Sequence, residues 1–312
     1  MRRPQDYIFL FIKGVCMGGA NVLHGVSGGT VAFMTGIYEE WIYTLNCFDL
    51  EALQLFKKFA FRELWQKLNG PFLVTVFGGI AVGLLFLAAA LYNLVRLHPI
   101  PLYSFFFGLM TMSAPLALRK IKNWNIGTAA ALVAGISLSY LLTRLPGFTS
   151  PDYGWFLLLA GFLTASGLIW TSISCALMLL LLGQYSVLAG SIKALNFPNL
   201  AVFGLGFLPG LMVNARISRS LLVHYHDAGV ALLAGLMLGS LNKLWPWRET
   251  LEFMTNFRGE QIPAFDRSVL PWDLMATTGK DPLVFQAIAM MALGVFIVVL
   301  TERIGARLKT KI

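Results

Sequence analysis

The residues best suited to chemistry lie where small polar side chains interrupt a long apolar stretch near the start of the chain. Residues 7–45 are largely apolar but contain the run His24-Gly25-Val26-Ser27-Gly28-Gly29-Thr30. A continuous helix tolerates such a run poorly, so the sequence predicts a break and a new helix that begins near Gly28. The first amides of that helix, together with the Ser27 and Thr30 hydroxyls, would suit phosphate or carboxylate. Ser27 acting only as an ordinary helix N-cap would give the same pattern.

A second interruption has the same character. Residues 154–195 are apolar and are broken around Trp170-Thr171-Ser172-Ile173-Ser174, with a new helix expected near Ser174. Backbone of this kind survives in a membrane only where protein buries it or where it lines a wet cavity. Two such helix starts that face each other would form one anion site, to which Ser172 and Ser174 contribute hydroxyls.

Four ionisable residues are candidates for work beside this site. Lys13 is the only charge between Tyr7 and Glu39, and either contacts a phosphate or extends its stem to the membrane surface. His24 lies in the break and could titrate near neutral pH. Glu39 could carry a coupling proton, with a solvated helix end as the alternative. Arg216 either contacts the phosphate or anchors the end of a span.

The elements that position these residues follow from composition. The 312-residue chain is 57% hydrophobic and only 12% charged, about half the charged fraction of an ordinary soluble domain. This composition excludes a disordered chain, a disulfide scaffold and most soluble enzymes. Several charge-poor stretches are long enough to cross a hydrocarbon core about 30 Å thick. The sequence therefore predicts an all-α polytopic membrane protein.

We predict eight membrane elements in two halves. The first half, residues 1–147, holds the broken element 7–45, an amphipathic cytoplasmic insert at 48–69, and spans at 71–95, 101–118 and 124–143. The second half, residues 148–312, holds the broken element 154–195, spans at 199–215, 228–244 and 283–302, and an external loop at 245–281.

The distribution of basic residues sets the orientation. With both termini in the cytoplasm, the inside segments hold sixteen Lys and Arg residues and the outside segments eight. This bias agrees with the positive-inside rule. The net charge of +9 is thus an orientation signal, which makes anionic membrane lipids the expected neighbours rather than nucleic acid.

An internal repeat relates the halves. Ser27, Gly36 and Tyr38 match Ser174, Gly183 and Tyr185 at one constant offset in the numbering, and Gly108-Leu109-Met110 matches Gly235-Leu236-Met237 at a shorter one. The two offsets differ by nearly the length of the amphipathic insert, which only the first half contains. By the charge bias, the two broken elements open to opposite sides. The expected fold is an inverted-topology repeat, in which each half has one broken, re-entrant element and three transmembrane helices.

These residues also carry a family resemblance. The opening pattern resembles the signature of the bacterial polyprenyl-phosphate transporter family, and a later pattern resembles its second signature. The first comprises Lys13-Gly14, Met17-Gly18, Ala20-Asn21-Val22, Gly25-Val26-Ser27-Gly28-Gly29-Thr30 and Gly36-Ile37-Tyr38-Glu39; the second comprises Gly235-Leu236-Met237-Leu238-Gly239-Ser240-Leu241 and Leu244-Trp245-Pro246-Trp247. The resemblance implies an inner-membrane flippase that returns undecaprenyl phosphate, or a related lipid, from the outer to the cytoplasmic leaflet. It adds Asn21 and Gly25 to the expected phosphate site.

The chain departs from the family pattern at both breaks. His24 stands where the family usually has proline. The second break, typically Pro-Gly-Ile-Ser-Gly-Ser, here reads Thr171-Ser172-Ile173-Ser174-Cys175-Ala176. The second break has therefore lost its flexible residues, and the chain is a divergent member by this criterion.

Two other function classes remain open at this stage. Gly25-Val26-Ser27-Gly28 matches a Gly-x-Ser-Gly nucleophile pattern, so an intramembrane serine protease of rhomboid type is one alternative. An anion or ion channel built on the same broken helices is the other. No cofactor or metal is expected, because His224 and His226 give only a weak metal signal. Transport coupled to a proton or sodium gradient is compatible with the sequence.

Overall fold

A computed structural model describes residues 3–21, 25–145, 154–255, 261–279 and 281–309. The described chain is mostly helical. Its helices are α1 (Pro4–Ala20), α2 (Gly28–Met34), α3 (Tyr38–Asn46), α4 (Leu50–Lys57), α5 (Phe61–Lys67), α6 (Gly70–Val82), α7 (Ala88–Leu97), α8 (Pro99–Leu118), α9 (Ile126–Arg144), α10 (Gly154–Thr164), α11 (Cys175–Leu181), α12 (Tyr185–Lys193), α13 (Phe197–His224), α14 (His226–Leu244), α15 (Pro271–Thr278) and α16 (Val284–Lys309). A π-helical turn, Gly83–Leu87, joins α6 to α7, and a 3-10 helix, Ala165–Leu168, extends α10.

Five described helices are long and apolar enough to cross a membrane: Gly70–Leu87, Pro99–Leu118, Ile126–Arg144, Phe197–His224 and Val284–Arg303. The bent pair of α11 and α12, which meet at 115°, would make a sixth if it is counted as one span. The prediction of a helical, multi-pass membrane protein is therefore confirmed. The predicted span 228–244 coincides with α14, which is not among the five but has spanning length.

The two broken elements have the same local structure. In each, an apolar helix ends at a break and is followed by a seven-residue helix, a glycine turn and a nine-residue helix. Gly36 and Gly183 make these turns, with φ of 73° and 66°. Both angles lie in the left-handed region that glycine adopts without strain. The backbone hydrogen bonds of the turns also match, since Ile37 donates to the Ala32 carbonyl as Gln184 donates to that of Leu179.

Helix contacts in the rest of the bundle are also repeated. The glycines at these contacts bring the backbones of two helices together, and each of the two contacts joins a helix of one half to a helix of the other. Gly108 lies on the Met291 carbonyl and Gly294 on that of Phe105, where α8 meets α16; Gly235 lies on the Leu132 carbonyl and Gly135 on that of Leu232, where α14 meets α9. In the repeat, α8 corresponds to α14 and α9 to α16. Two helices of each half therefore pack against helices of the other half.

The segment between the first broken element and α6 forms two short helices. In α4, in α5 and in the turn between them, the large apolar side chains Leu50, Phe56, Phe59, Phe61 and Trp65 are each at least half exposed. Lys67, at the end of α5, forms ion pairs with Asp49 and Glu51, and these pairs join the two ends of the insert. This region coincides with the predicted amphipathic insert at 48–69.

The segment predicted as an external loop contains regular structure that the sequence analysis did not foresee. Strands β1 (Arg248–Thr255) and β2 (Gln261–Ser268) pair antiparallel, and α15 follows them. Hydrogen bonds fix this cap to the bundle, because the Trp245 indole donates to the Val269 carbonyl and Arg248 donates to the carbonyls of Asn242 and Lys243. The charged residues of the segment favoured a loop interpretation, but pairing of the two strands satisfies their backbone groups.

Candidate functional site

The first break is held by short-range capping. Ser27 is the N-cap of α2, and its side-chain oxygen accepts a hydrogen bond from the Thr30 amide at 3.2 Å. Asn21, at the end of α1, accepts from the Gly28 amide at 3.2 Å and donates to the Met17 carbonyl at 2.9 Å. Asn21, Ser27 and Thr30 are all buried. The amide side chain of Asn21 therefore ties the end of α1 to the start of α2.

The two breaks contact each other directly. The Ser27 hydroxyl donates to the Trp170 carbonyl at 2.8 Å, and the Ser172 amide donates to the Thr30 hydroxyl oxygen at 2.8 Å. Gly29 lies so close that a Cβ atom there would stand 2.5 Å from the Ile169 carbonyl oxygen. We call Ser27, Gly29, Thr30, Trp170 and Ser172 the break interface. It joins parts of the chain that are remote from each other in sequence.

Two aromatic side chains of α3 secure the second break from the first half. The Trp41 indole donates to the Leu168 carbonyl at 3.2 Å, and the Tyr38 hydroxyl donates to the Ile169 carbonyl at 3.0 Å. The Tyr38 hydroxyl also lies 3.0 Å from that of Ser218. Together with Ser27, these side chains bind three consecutive carbonyls that the helix break leaves without helical partners. Tyr38 aligns with Tyr185 in the repeat, but neither Tyr38 nor Trp41 was predicted to lie at the site.

The second break repeats the first with different chemistry. Ser174 is the N-cap of α11 and accepts from the Leu177 amide at 3.1 Å, as Ser27 does from Thr30. Ser172 corresponds to Gly25 in the repeat, and both have positive φ, 68° and 100° respectively. Ser172 is buried, and its hydroxyl has no hydrogen-bond partner within the described part of the chain. The break interface thus contains one unsatisfied hydroxyl.

The remaining predicted site residues lie away from the break interface, apart from His24, which falls outside the described residues. Lys13 donates to the Thr35 carbonyl at 2.8 Å. This places its charge at the C-terminal end of α2, about 10 Å along that helix from the break. Glu39 is exposed in the first turn of α3. Arg216 is exposed and donates to the Phe48 carbonyl at 3.3 Å.

The charge of Lys13 suits the position in which the structure places it. Carbonyls at the end of a helix carry partial negative charge, and a cation there stabilises them. Since α2 runs back beside α1, Lys13 reaches this helix end although it lies well before it in the chain. Its counterpart in the repeat is Ala160, which is fully buried, so the second broken element has no cation at this place.

Metal or nucleophile chemistry finds little support in the described residues. They contain no group of three or more His, Cys, Asp or Glu side chains arranged to hold a metal ion. His224 and His226 are exposed, and His226 contacts the neighbouring Asp227. The Ser27 hydroxyl donates to a backbone carbonyl, and a serine nucleophile needs instead a base that accepts its proton.

Comparison with known proteins shows the family to which the chain belongs. The model of a family described as undecaprenyl phosphate translocase-like matches residues 17–262, a region that includes both breaks. The chain belongs to this family. A relative from Vibrio cholerae serotype O1, named polyprenyl-phosphate transporter, is 35% identical over 302 residues, which cover 96% of this chain and 98% of the relative. A relative of the same name from Staphylococcus aureus is 28% identical over 256 residues, covering 75% of this chain and 85% of its own.

The family membership confirms the resemblance noted in the sequence. Its description and the names of both relatives are those of transporters, so the chain is a member of a transporter family and not an enzyme. The serine protease alternative is therefore wrong. No solved structure matches the chain.

Proposed function

We propose that this protein carries undecaprenyl phosphate, or a related polyprenyl phosphate, from the outer to the cytoplasmic leaflet of a bacterial inner membrane. The names of its relatives support the substrate class. The observation that carries the proposal is the break interface, where small hydroxyl-bearing residues of two interrupted helices meet inside an apolar bundle. Such groups bind a phosphate through several short donors while the polyprenyl chain stays in lipid.

The bonds across the break interface are the ones that a phosphate would replace. The Ser27 hydroxyl now donates to the Trp170 carbonyl, and it could donate equally to a phosphate oxygen. Gly28 and Gly29 have no side chains, so the backbone of the first break can approach the phosphate closely. Asn21, Gly25, Thr30 and Ser174 complete the proposed site. Binding would thus exchange bonds between the two halves for bonds to the ligand. This exchange links occupancy of the site to the contact between the halves.

The proposed carrier works by alternating access between two inversely oriented halves. The charge bias supports opposite orientations and cytoplasmic termini. The matched turns and the matched glycine contacts support a common structure for the halves. In transporters with inverted repeats, one half moves against the other around a site at their boundary. The break interface would be that boundary.

Three charged residues are assigned to the cytoplasmic side of the route. In this orientation Lys13 lies between the break and the cytoplasm, where it would receive the phosphate as it leaves the break interface. Arg216 would meet the head group further out. Exposed Glu39 is the proposed coupling group for a proton or sodium gradient, since a carboxylate can bind either cation.

A binding measurement on the detergent-purified chain tests the proposal. We expect undecaprenyl phosphate to bind more tightly than undecaprenol or undecaprenyl pyrophosphate. The double variant S27A/G28L should abolish this preference because it removes one donor and fills the space beside Asn21. Gly204→Leu is the matched control, since a Cβ at Gly204 meets no atom within 4 Å. Equal binding of undecaprenol would contradict a phosphate site.

Transport is tested separately in proteoliposomes. A carrier should move labelled polyprenyl phosphate between leaflets at a rate that saturates with lipid concentration, and should pass no current of small anions. A steady anion conductance that depends on Ser27 would favour the channel built on the same broken helices. If lipid uptake by the Glu39→Gln variant no longer depends on the ion gradient, the assignment of Glu39 as the coupling group is supported. Unchanged dependence would exclude Glu39 from that role.

A further inference from the structure

Ser172 has a backbone conformation that serine rarely adopts. Its φ of 68° lies in the left-handed region, where a side chain crowds the backbone. The corresponding residue in the first break is Gly25, for which a φ of 100° carries no such cost. The fold therefore needs positive φ at this place in both breaks, and only the second meets the need with a residue that bears a side chain.

The side chain of Ser172 carries a second cost. The residue is 1% exposed, and its hydroxyl has no partner among the described residues. Carbonyls just before it in the chain are already bound, because Trp41, Tyr38 and Ser27 donate to them. Burial of a hydroxyl without a hydrogen bond is unfavourable. A glycine at this position would avoid both costs.

Other buried hydroxyls without a partner do not share this combination. Those of Thr44, Ser104 and Thr164 lie within α3, α8 and α10. Inside a helix, rotation about one bond brings such a hydroxyl to a carbonyl of the preceding turn. Ser172 lies in the break itself, outside any helix, and its amide binds Thr30 of the opposite break. Its hydroxyl is therefore unsatisfied at the point where the proposed ligand binds.

We infer that the Ser172 hydroxyl donates a hydrogen bond to a non-bridging oxygen of the polyprenyl phosphate. This inference rests on the proposed function. Cys175 and Ala176 replace the small glycines of the first break, so the backbone of the second break approaches a ligand less closely. The serine hydroxyl spans that gap with one hydrogen bond to a charged oxygen. The two breaks would thus hold one phosphate in different ways, the first through its glycine-lined backbone and the second through a side chain.

Two substitutions separate the hydroxyl from the strain. Ser172→Ala removes the hydroxyl and keeps the side-chain crowding, whereas Ser172→Gly removes both. The dissociation constant for undecaprenyl phosphate and the thermal unfolding midpoint are measured for each purified full-length variant. We expect both to weaken binding about tenfold to a hundredfold, the usual loss for one hydrogen bond to a charged group. Both should raise the unfolding midpoint of the unliganded protein, and Ser172→Gly should raise it more because it also relieves the backbone crowding.

Ser104→Ala is the matched control, because it removes another buried, unpartnered serine hydroxyl from a helix outside the breaks. It should bind as the wild type does. Wild-type affinity in both Ser172 variants would overturn the inference and leave the proposed function intact. Weak binding by Ser172→Ala together with normal binding by Ser172→Gly would also overturn it, since backbone freedom would then govern affinity. If the wild-type protein does not bind the lipid phosphate, the proposed function itself fails.

Discussion

The first and second breaks have the same backbone conformation and differ in the side chains that stabilise it. Both lead through a serine N-cap into a seven-residue helix and a glycine turn. The first break has glycines at 28 and 29 and an amide side chain, Asn21, that closes its end. The second has side chains at the corresponding positions, and its carbonyls accept hydrogen bonds from Tyr38 and Trp41 of the other half. The comparison teaches that one conformation can be stabilised locally in one copy and by distant partners in the other.

The largest effect should come from closing the space at Gly29. A Cβ there would stand 2.5 Å from the Ile169 carbonyl oxygen, which belongs to the backbone and cannot rotate away. We expect Gly29→Ala to cost about 2–3 kcal/mol of stability because the breaks must separate. The free energy of unfolding is measured by titration with denaturing detergent.

The matched control for this change is Gly204→Ala, where the added Cβ meets nothing within 4 Å. It should be neutral or stabilising by up to about 1 kcal/mol, as expected for alanine in a helix. If both substitutions lower the free energy of unfolding equally, the close approach of the two breaks is not the reason that Gly29→Ala is destabilising.

A smaller difference should separate the two N-cap serines. Ser27→Ala loses the cap to Thr30 and the bond to Trp170, while Ser174→Ala loses its cap to Leu177. We expect about 2 kcal/mol for the first and about 1 kcal/mol for the second, from typical values for caps and buried hydrogen bonds. The same unfolding titration gives both numbers. If the order is reversed, Ser174 has a role that its capping contact does not explain.

Lys13 tests the asymmetry of charge between the halves. Lys13→Met should weaken the affinity for undecaprenyl phosphate about fivefold to tenfold through loss of a nearby cation. The exposed Lys57 of the insert offers a control, and Lys57→Met should leave the dissociation constant unchanged. Unchanged affinity in Lys13→Met, with a lower unfolding midpoint, would assign the residue to stabilisation of the end of α2 alone.

The smallest effect concerns the insert, which only the first half contains. Hydrogen bonds from Lys67 and from the Ala52 amide hold the pKa of Asp49 below its usual value. A lowered pKa means that the contribution of Asp49 is present above about pH 4 and is lost as the pH falls through the lower, folded-state value. Loss of that contribution should loosen the insert, and fluorescence of Trp65, compared with a Trp65→Phe variant, should report the change. Asp49→Asn should flatten the acid response, and an unchanged response would exclude Asp49 as its source.

Sequence reasoning reaches the local features of the site. The glycine and serine pattern places new helices near Gly28 and Ser174, and α2 and α11 begin at Gly28 and Cys175. Such features are readable because a cap and the amide that it binds lie within one helical turn of each other. The constant offset of the repeat likewise pairs the breaks before their contact is known.

The parts that sequence reasoning misses depend on contacts between distant residues. Nothing near Tyr38 or Trp41 indicates that their donors bind carbonyls in the other half of the chain. The position of Lys13 depends on how α2 runs back beside α1, which fixes its partner at Thr35. The hairpin of β1 and β2 was missed because its charged residues suit a loop as well as a short strand pair.

The packing of helices from one half against helices of the other has a consequence for biosynthesis. α9 packs on α14, yet α9 ends at Arg144 and α14 begins only at His226. At about 5 to 20 residues per second, α9 would wait about 4 to 16 s after its own synthesis before the first turn of its partner is made. During that interval its glycine-bearing face is open to lipid or to helpers of membrane insertion. The first half therefore cannot complete its helix packing until the ribosome has made the second half.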